Sequence, residues 1–131
     1  MPVDFVVDTG ADATLIAPTD FDAQGVRYSQ IQGTETESSG YGGKITAKRC
    51  PATLYLRDDS GRHMRIILEA EFGKPHPANE GLPSVLGRDV IDLFRLVVDR
   101  SVNLVCLDAA TGSTEGKHWP DERDERDWAT P

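Results

Sequence analysis

Apolar and polar positions alternate with period two through the middle of the chain. Ala52, Leu54 and Leu56 fall on one face of a strand and Thr53, Tyr55 and Arg57 on the other. After the turn residues Asp58-Asp59-Ser60-Gly61, the series Met64, Ile66, Leu68, Ala70 and Phe72 repeats the pattern and predicts a second, longer strand. Ahead of these, Thr34 to Ser39 and Lys44 to Arg49 flank Gly40-Tyr41-Gly42-Gly43, the pattern of a hairpin with a glycine-rich, mobile tip. Short apolar runs predict further strands at Val3 to Val7, Val26 to Ile31 and Leu82 to Leu86, and Leu15 to Ala17 is a further apolar run. Two more are predicted at Arg95 to Asp99 and Asn103 to Leu107, joined by Arg100-Ser101-Val102.

Helical signals are few. Pro18 to Gln24 reads as one or two turns, with Thr19 as cap and Gly25 as stop. Val90, Ile91 and Phe94 give Arg88 to Phe94 helical spacing. Lys74 to Gly81 carries two prolines and reads as a loop. From Thr111 the patterning stops, and Asp121 to Asp127 is mixed charge without an apolar face. The expectation is one mostly-β domain over residues 1–110 and a charged, poorly ordered tail over 111–131. Trp119 and Trp128 leave open a tail that docks on a partner.

Composition narrows the function. A net charge of -8 over 131 residues, with no basic stripe, argues against tracking nucleic-acid phosphates. No apolar run is long enough to span a bilayer, and no basic segment followed by an apolar one marks a secretory leader. Cys50 and Cys106 are too few for a disulfide framework and read as buried free thiols, which makes a reducing, cytoplasmic location the default. His63, His76 and His118 show no ligand spacing, so neither a metal nor another cofactor is expected.

The chemistry is concentrated in Phe5-Val6-Val7-Asp8-Thr9-Gly10-Ala11, an apolar strand ending in a carboxylate, a small hydroxyl and a glycine. One carboxylate is a weak hydrolytic device. Two of them about 3 Å apart share a proton, because like charges that close cannot both ionise, and so supply a base and an acid together. The chain has a single such element. Asp89 is the one internal candidate in a comparable strand-then-glycine setting, but it opens a helix, where the helix dipole also favours an acid. Taken singly, Asp8 also suits a plain turn, Asp12 and Arg88 a structural ion pair, and the glycines at 40 to 43 a plain tight hairpin.

The run from Phe5 to Ile16 resembles the active-site segment of the retropepsins, the retroviral-type aspartic proteases. In the same order, Gly40-Tyr41-Gly42-Gly43-Lys44-Ile45 resembles their flap tip. Val85-Leu86-Gly87-Arg88-Asp89 resembles the segment that opens their C-terminal helix. The terminal strands are more similar to those of the cellular and bacterial single-domain members than to the viral ones. The resemblance covers roughly residues 3 to 108.

It implies a closed-barrel, acid-protease half-fold with a flap hairpin and one short C-terminal helix. It implies a homodimeric endopeptidase acting on an extended peptide or protein, with no nucleic-acid or membrane partner. Asp8 would be the catalytic carboxylate, Thr9 would hydrogen-bond across the dimer axis, and Gly10 would admit the substrate backbone. Ala11, Asp12, Gly40, Tyr41, Gly42 and Gly43 would contact substrate, and Arg88 would support Asp12 as a bidentate partner. The chain departs from the family in having seven residues before Asp8, where another strand of a hairpin is usual. The expectation is that the natural protein starts upstream. A non-catalytic peptide-binding module, or a truncated inactive form, is the alternative.

Overall fold

A computed structural model describes residues 1–40, 43–59, 61, 63–108 and 117–118, the side chains at 38–40, 43, 78, 117 and 118 excepted. The chain is mostly β, its main sheet curled into a half-barrel. In chain order the elements are β1 (Phe5–Val7), β2 (Leu15–Ile16), α1 (Pro18–Ala23), β3 (Thr34–Gly40), β4 (Gly43–Arg57) and β5 (His63–Gly73). Then come β6 (Ser84–Leu86), α2 (Arg88–Ile91), β7 (Arg95–Asp99), β8 (Leu104–Asp108) and β9 (Lys117–His118). The main sheet runs β1-β6-β2-β5-β4-β3, with β9 also paired to β5, and β7-β8 form a separate ribbon. Among the described residues the large sheet has β1 and β3 at its ends and is a half-barrel rather than the closed barrel expected.

The period-two pattern of β5 sorts its faces as expected. Met64, Ile66 and Ala70 are buried, and Met64 and Ile66 form a core with Leu86 and Val90. Phe5, Leu54, Leu56, Leu68, Leu93, Phe94 and Leu107 pack around that core, so β1, β4, α2 and β8 all contribute apolar surface to it. Burial of this kind is worth about 25 cal/mol per Å2 of apolar surface and is the main force holding the short helices down. At the other end of the sheet, Phe21 of α1 is fully buried and its ring lies 6.1 Å from that of Phe72.

Several expectations are corrected. Val26 to Ile31 is not a strand. Tyr28–Gln30 is a 3-10 turn, closed by Gln30 N to Arg27 O and by the Gln30 side chain accepting from Arg27 N. Among the described residues these have no strand partner, and local hydrogen bonds take its place. Thr19 is not the cap of α1. Ala17 holds that position, and Pro18 begins the helix, where its missing N–H costs nothing. Gly25 does end it, at a φ of 78° that suits glycine. The two strands expected before and after Pro51 are one, β4, which pairs with β5 along its length. The β3 partner reaches only to Arg49, so Pro51 stands where β4 has a single neighbour and its missing donor is tolerated.

α2 is shorter than expected, ending at Ile91, although Leu93 N to Val90 O and Phe94 N to Ile91 O continue the turn. The free thiols Cys50 and Cys106 are half-buried rather than buried. Within the segment read as a tail, Lys117 and His118 pair with Ile66 and Arg65 of β5. Among the described residues, no helix is long and apolar enough to cross a membrane.

Candidate functional site

Asp8 follows directly on β1, which lies parallel to β6 with Phe5 opposite Ser84 and Val7 opposite Leu86. The pairing extends one step beyond the strand, because Asp8 N donates to Leu86 O at 3.0 Å. The chain then turns. Ala11 N donates to Asp8 O, and Gly10 N donates to Asp8 Oδ1 at 2.9 Å. A Cβ on Gly10 would lie 3.2 Å from that same oxygen, so a side chain there would crowd the carboxylate. Asp8 is half-buried, and Thr9 and Gly10 are exposed.

The turn is bolted to the start of α2. Arg88 N donates to Ala11 O at 2.8 Å and Asp89 N donates to Asp12 O at 3.2 Å. The Arg88 guanidinium also donates to the Asp12 carboxylate, an ion pair in which both side chains are largely exposed. Behind them lies a buried polar junction. Thr14, 1% exposed, donates from N to Asp89 Oδ2 at 3.0 Å and from Oγ1 to Asp89 Oδ1 at 2.7 Å. Gly87 N donates back to Thr14 Oγ1 at 3.1 Å. Gly87 is required here by proximity, since a Cβ would lie 2.5 Å from Ala13 C and O.

A second junction fixes α1 under β6. Ser84, fully buried, accepts from Ala17 N at 2.8 Å and donates to the Asp20 carboxylate.

Thr14 and Gly87 lie inside the two motif segments but were given no role there, Ser84 was not singled out, and Asp89 was read as a helix-terminal acid or a possible second carboxylate. The available signal was a threonine and a serine set inside apolar runs, since such groups are buried only when hydrogen-bonded.

The β3-β4 hairpin is anchored at its base. Tyr28 OH donates to Glu35 Oε1 at 2.9 Å, Lys48 Nζ donates to Tyr28 O at 3.0 Å, and the Lys48 ammonium lies 4.4 Å from the Tyr28 ring centre. Desolvation first, then the hydrogen bond to Glu35 and its negative charge, push the Tyr28 phenol up to about 12. At the tip, Gly40 and Gly43 are cross-strand partners. Tyr41 and Gly42 lie outside the described residues.

The structure therefore brings Asp8, Gly10, Ala11, Asp12 and Arg88 into one turn-and-helix junction, with Thr9 exposed at its outer edge. Gly40 and Gly43 stand at the end of the separate β3-β4 hairpin. Asp89 is not free to act as a second catalytic acid, because both its oxygens are taken by Thr14. Among the described residues, no group of three or more His, Cys, Asp or Glu converges as metal ligands would. A scan of protein-family models finds no match to this chain, and a search of curated proteins finds none either.

Proposed function

We propose that the chain is a retropepsin-like aspartic endopeptidase that works as a homodimer, with one Asp8 from each copy. The observation that carries this reading is the commitment of the acids around the turn. Asp12 is paired with Arg88, Asp20 accepts from Ser84 and Asp89 is held by Thr14, whereas the Asp8 carboxylate accepts only a backbone N–H among the described residues. A second carboxylate for Asp8 is then most simply the same residue of another copy.

In the cycle, water held between the two carboxylates gives a proton to the ionised one as its oxygen bonds to the peptide carbon. The protonated one gives its proton to the carbonyl oxygen, forming a gem-diol. The acid formed in the first step then protonates the amide nitrogen as the C–N bond breaks. The other carboxylate takes back a hydroxyl proton, and the pair returns to a single shared proton. The hairpin ending at Gly40 and Gly43 would cover an extended substrate, and Ala11, Asp12, Tyr41 and Gly42 would meet its backbone.

The test is cleavage of a peptide library at mildly acidic pH by the wild type and by Asp8→Asn, with the solution mass measured alongside. Cleavage lost in Asp8→Asn and a dimeric mass are expected. Equal activity in the two proteins would end the reading. Peptide affinity without turnover in the wild type would favour the non-catalytic module.

A further inference from the structure

One buried acid lies outside these junctions. Glu71 of β5 is 7% exposed, and its Oε2 is buried with no hydrogen-bond partner among the described residues. A polar atom in that condition costs free energy and needs an explanation.

Strand register shows where it lies. Val6 pairs with Val85, Val85 with Leu15, Leu15 with Glu71, Glu71 with Arg49, and Arg49 with Thr34. These six residues form one row across the sheet, from β1 to β3, and paired residues in a sheet share a face. The opposite face carries the core residues Ile66 and Ala70. Asp8 stands two residues beyond Val6 and so continues the Glu71 face. Glu71 is therefore on the sheet face that carries Asp8, between the Asp8 strand and the base of the flap hairpin. Its backbone N also donates to Thr14 O at 2.9 Å, which ties it directly to the end of the Asp8 turn.

The obvious internal partner is turned elsewhere. Arg49 is directly opposite Glu71, yet its guanidinium pairs with Glu69 at 3.4 Å, with both of those side chains well exposed. Strands are spaced about 4.8 Å apart, so Glu71 lies three strands, about 14 Å, from β1 measured along the sheet. An extended peptide rises about 3.3 Å per residue, which puts Glu71 within reach of a long side chain roughly two to four residues from the bond at Asp8.

We infer that Glu71 is the counter-group for a basic side chain, lysine or arginine, of an extended peptide bound on this face. This rests on the protease reading above and adds to it a substrate class. The occupant is cationic because a carboxylate is an acceptor with a full negative charge, and an ammonium or guanidinium satisfies both its charge and its lone pairs.

The experiment uses peptides carrying lysine or arginine at successive positions, against norleucine and citrulline as uncharged counterparts. Wild type, Glu71→Gln and Glu71→Leu are compared by kcat/KM, and the same peptides are titrated against Asp8→Asn for binding alone. At one position the wild type should prefer the basic residue by about tenfold or more, the effect of one charge-assisted hydrogen bond. Glu71→Gln should bring that ratio close to one, and Glu71→Leu should reverse it toward norleucine. Both variants should melt at or above the wild-type temperature, because each removes a carboxylate whose Oε2 is buried without a partner among the described residues. Lower melting temperatures with unchanged selectivity would make Glu71 a structural partner of Arg49 and overturn the inference. Cleavage without any basic preference would also overturn it, while leaving the protease reading intact. Neither cleavage nor binding of any peptide would remove both.

Discussion

Thr14→Val tests whether the buried junction behind Asp8 holds the site in place. Valine has nearly the shape of threonine, so packing is kept while Oγ1 is lost. Two interactions go with it: the 2.7 Å bond donated to Asp89 Oδ1 and the 3.1 Å bond accepted from Gly87 N. The first is a hydrogen bond to a charged group, worth about 1.5–3 kcal/mol. The second leaves a buried backbone N–H without a partner, at about 1–3 kcal/mol. Thr14 N still donates to Asp89 Oδ2, so the junction is weakened rather than dissolved. The expected loss is about 3 kcal/mol, a large part of the roughly 5–15 kcal/mol that holds a domain of this size together.

Urea unfolding of wild type, Thr14→Val and Thr14→Ser measures it directly. Serine keeps the hydroxyl and should recover most of the loss. In an Asp89→Asn background Thr14→Val should cost less, with a coupling of about 1 kcal/mol or more, because the two residues share the bond. A loss below about 1 kcal/mol in Thr14→Val, or no coupling, would refute the reasoning, since it would mean that the hydroxyl is satisfied equally well in the unfolded chain. Where peptide cleavage is observed, kcat should fall by about tenfold to a hundredfold, because the turn carrying Asp8 is positioned through this junction.

Gly87→Ala should destabilise by about 1–3 kcal/mol or more, read from thermal melts, because its Cβ would meet Ala13 backbone atoms at 2.5 Å. Asp12→Asn should change stability by less than about 1 kcal/mol, since its ion pair with Arg88 is exposed. A larger loss of peptide cleavage than of stability in that variant would give Asp12 a role toward substrate. Tyr28 should titrate near 12 by phenolate absorbance, and Tyr28→Phe should remove that late transition. Because its folded value lies above the unfolded 10.0, the stability that Tyr28 contributes is complete below pH 10 and is lost as pH rises toward about 12. Specific activity per chain should fall on dilution through the dimer dissociation range, and constancy in a solution shown to be monomeric would contradict a shared Asp8 pair.

Alternation made β5 and the faces of β4 legible, because a period of two is a local property of the sequence. That β4 runs unbroken through Pro51 was not legible locally, because a proline interrupts a strand only where its N–H is needed, and that depends on where β3 ends. Val26 to Ile31 has strand-forming residues but no strand to pair with among the described residues, so a 3-10 turn wins. The parallel pairing of β1 with β6 joins residues some 79 positions apart, Phe5 with Ser84. Nothing in either short apolar run names the other. The Asp8-Thr9-Gly10 turn was readable as a motif, while the Thr14–Asp89 junction that holds it spans 75 positions and was not.

The acids of this site look alike in sequence and differ in their partners. Asp89 accepts two hydrogen bonds from Thr14 and is part of the scaffold, and Asp12 is matched by Arg88 in an exposed ion pair. Among the described residues the Asp8 carboxylate accepts one backbone N–H, from a glycine whose missing Cβ leaves that oxygen uncrowded. Glu71 Oε2 has none among the described residues. Folding satisfies polar groups wherever the chain can supply partners, and an acid left short of partners on a face shared with the motif is where an outside group would add most. On the proposed reading, Asp8 would carry the chemistry and Glu71 the recognition of charge. Exchanging the two variants' phenotypes, with selectivity lost in Asp8→Asn and turnover lost in Glu71→Gln, would reverse the assignment.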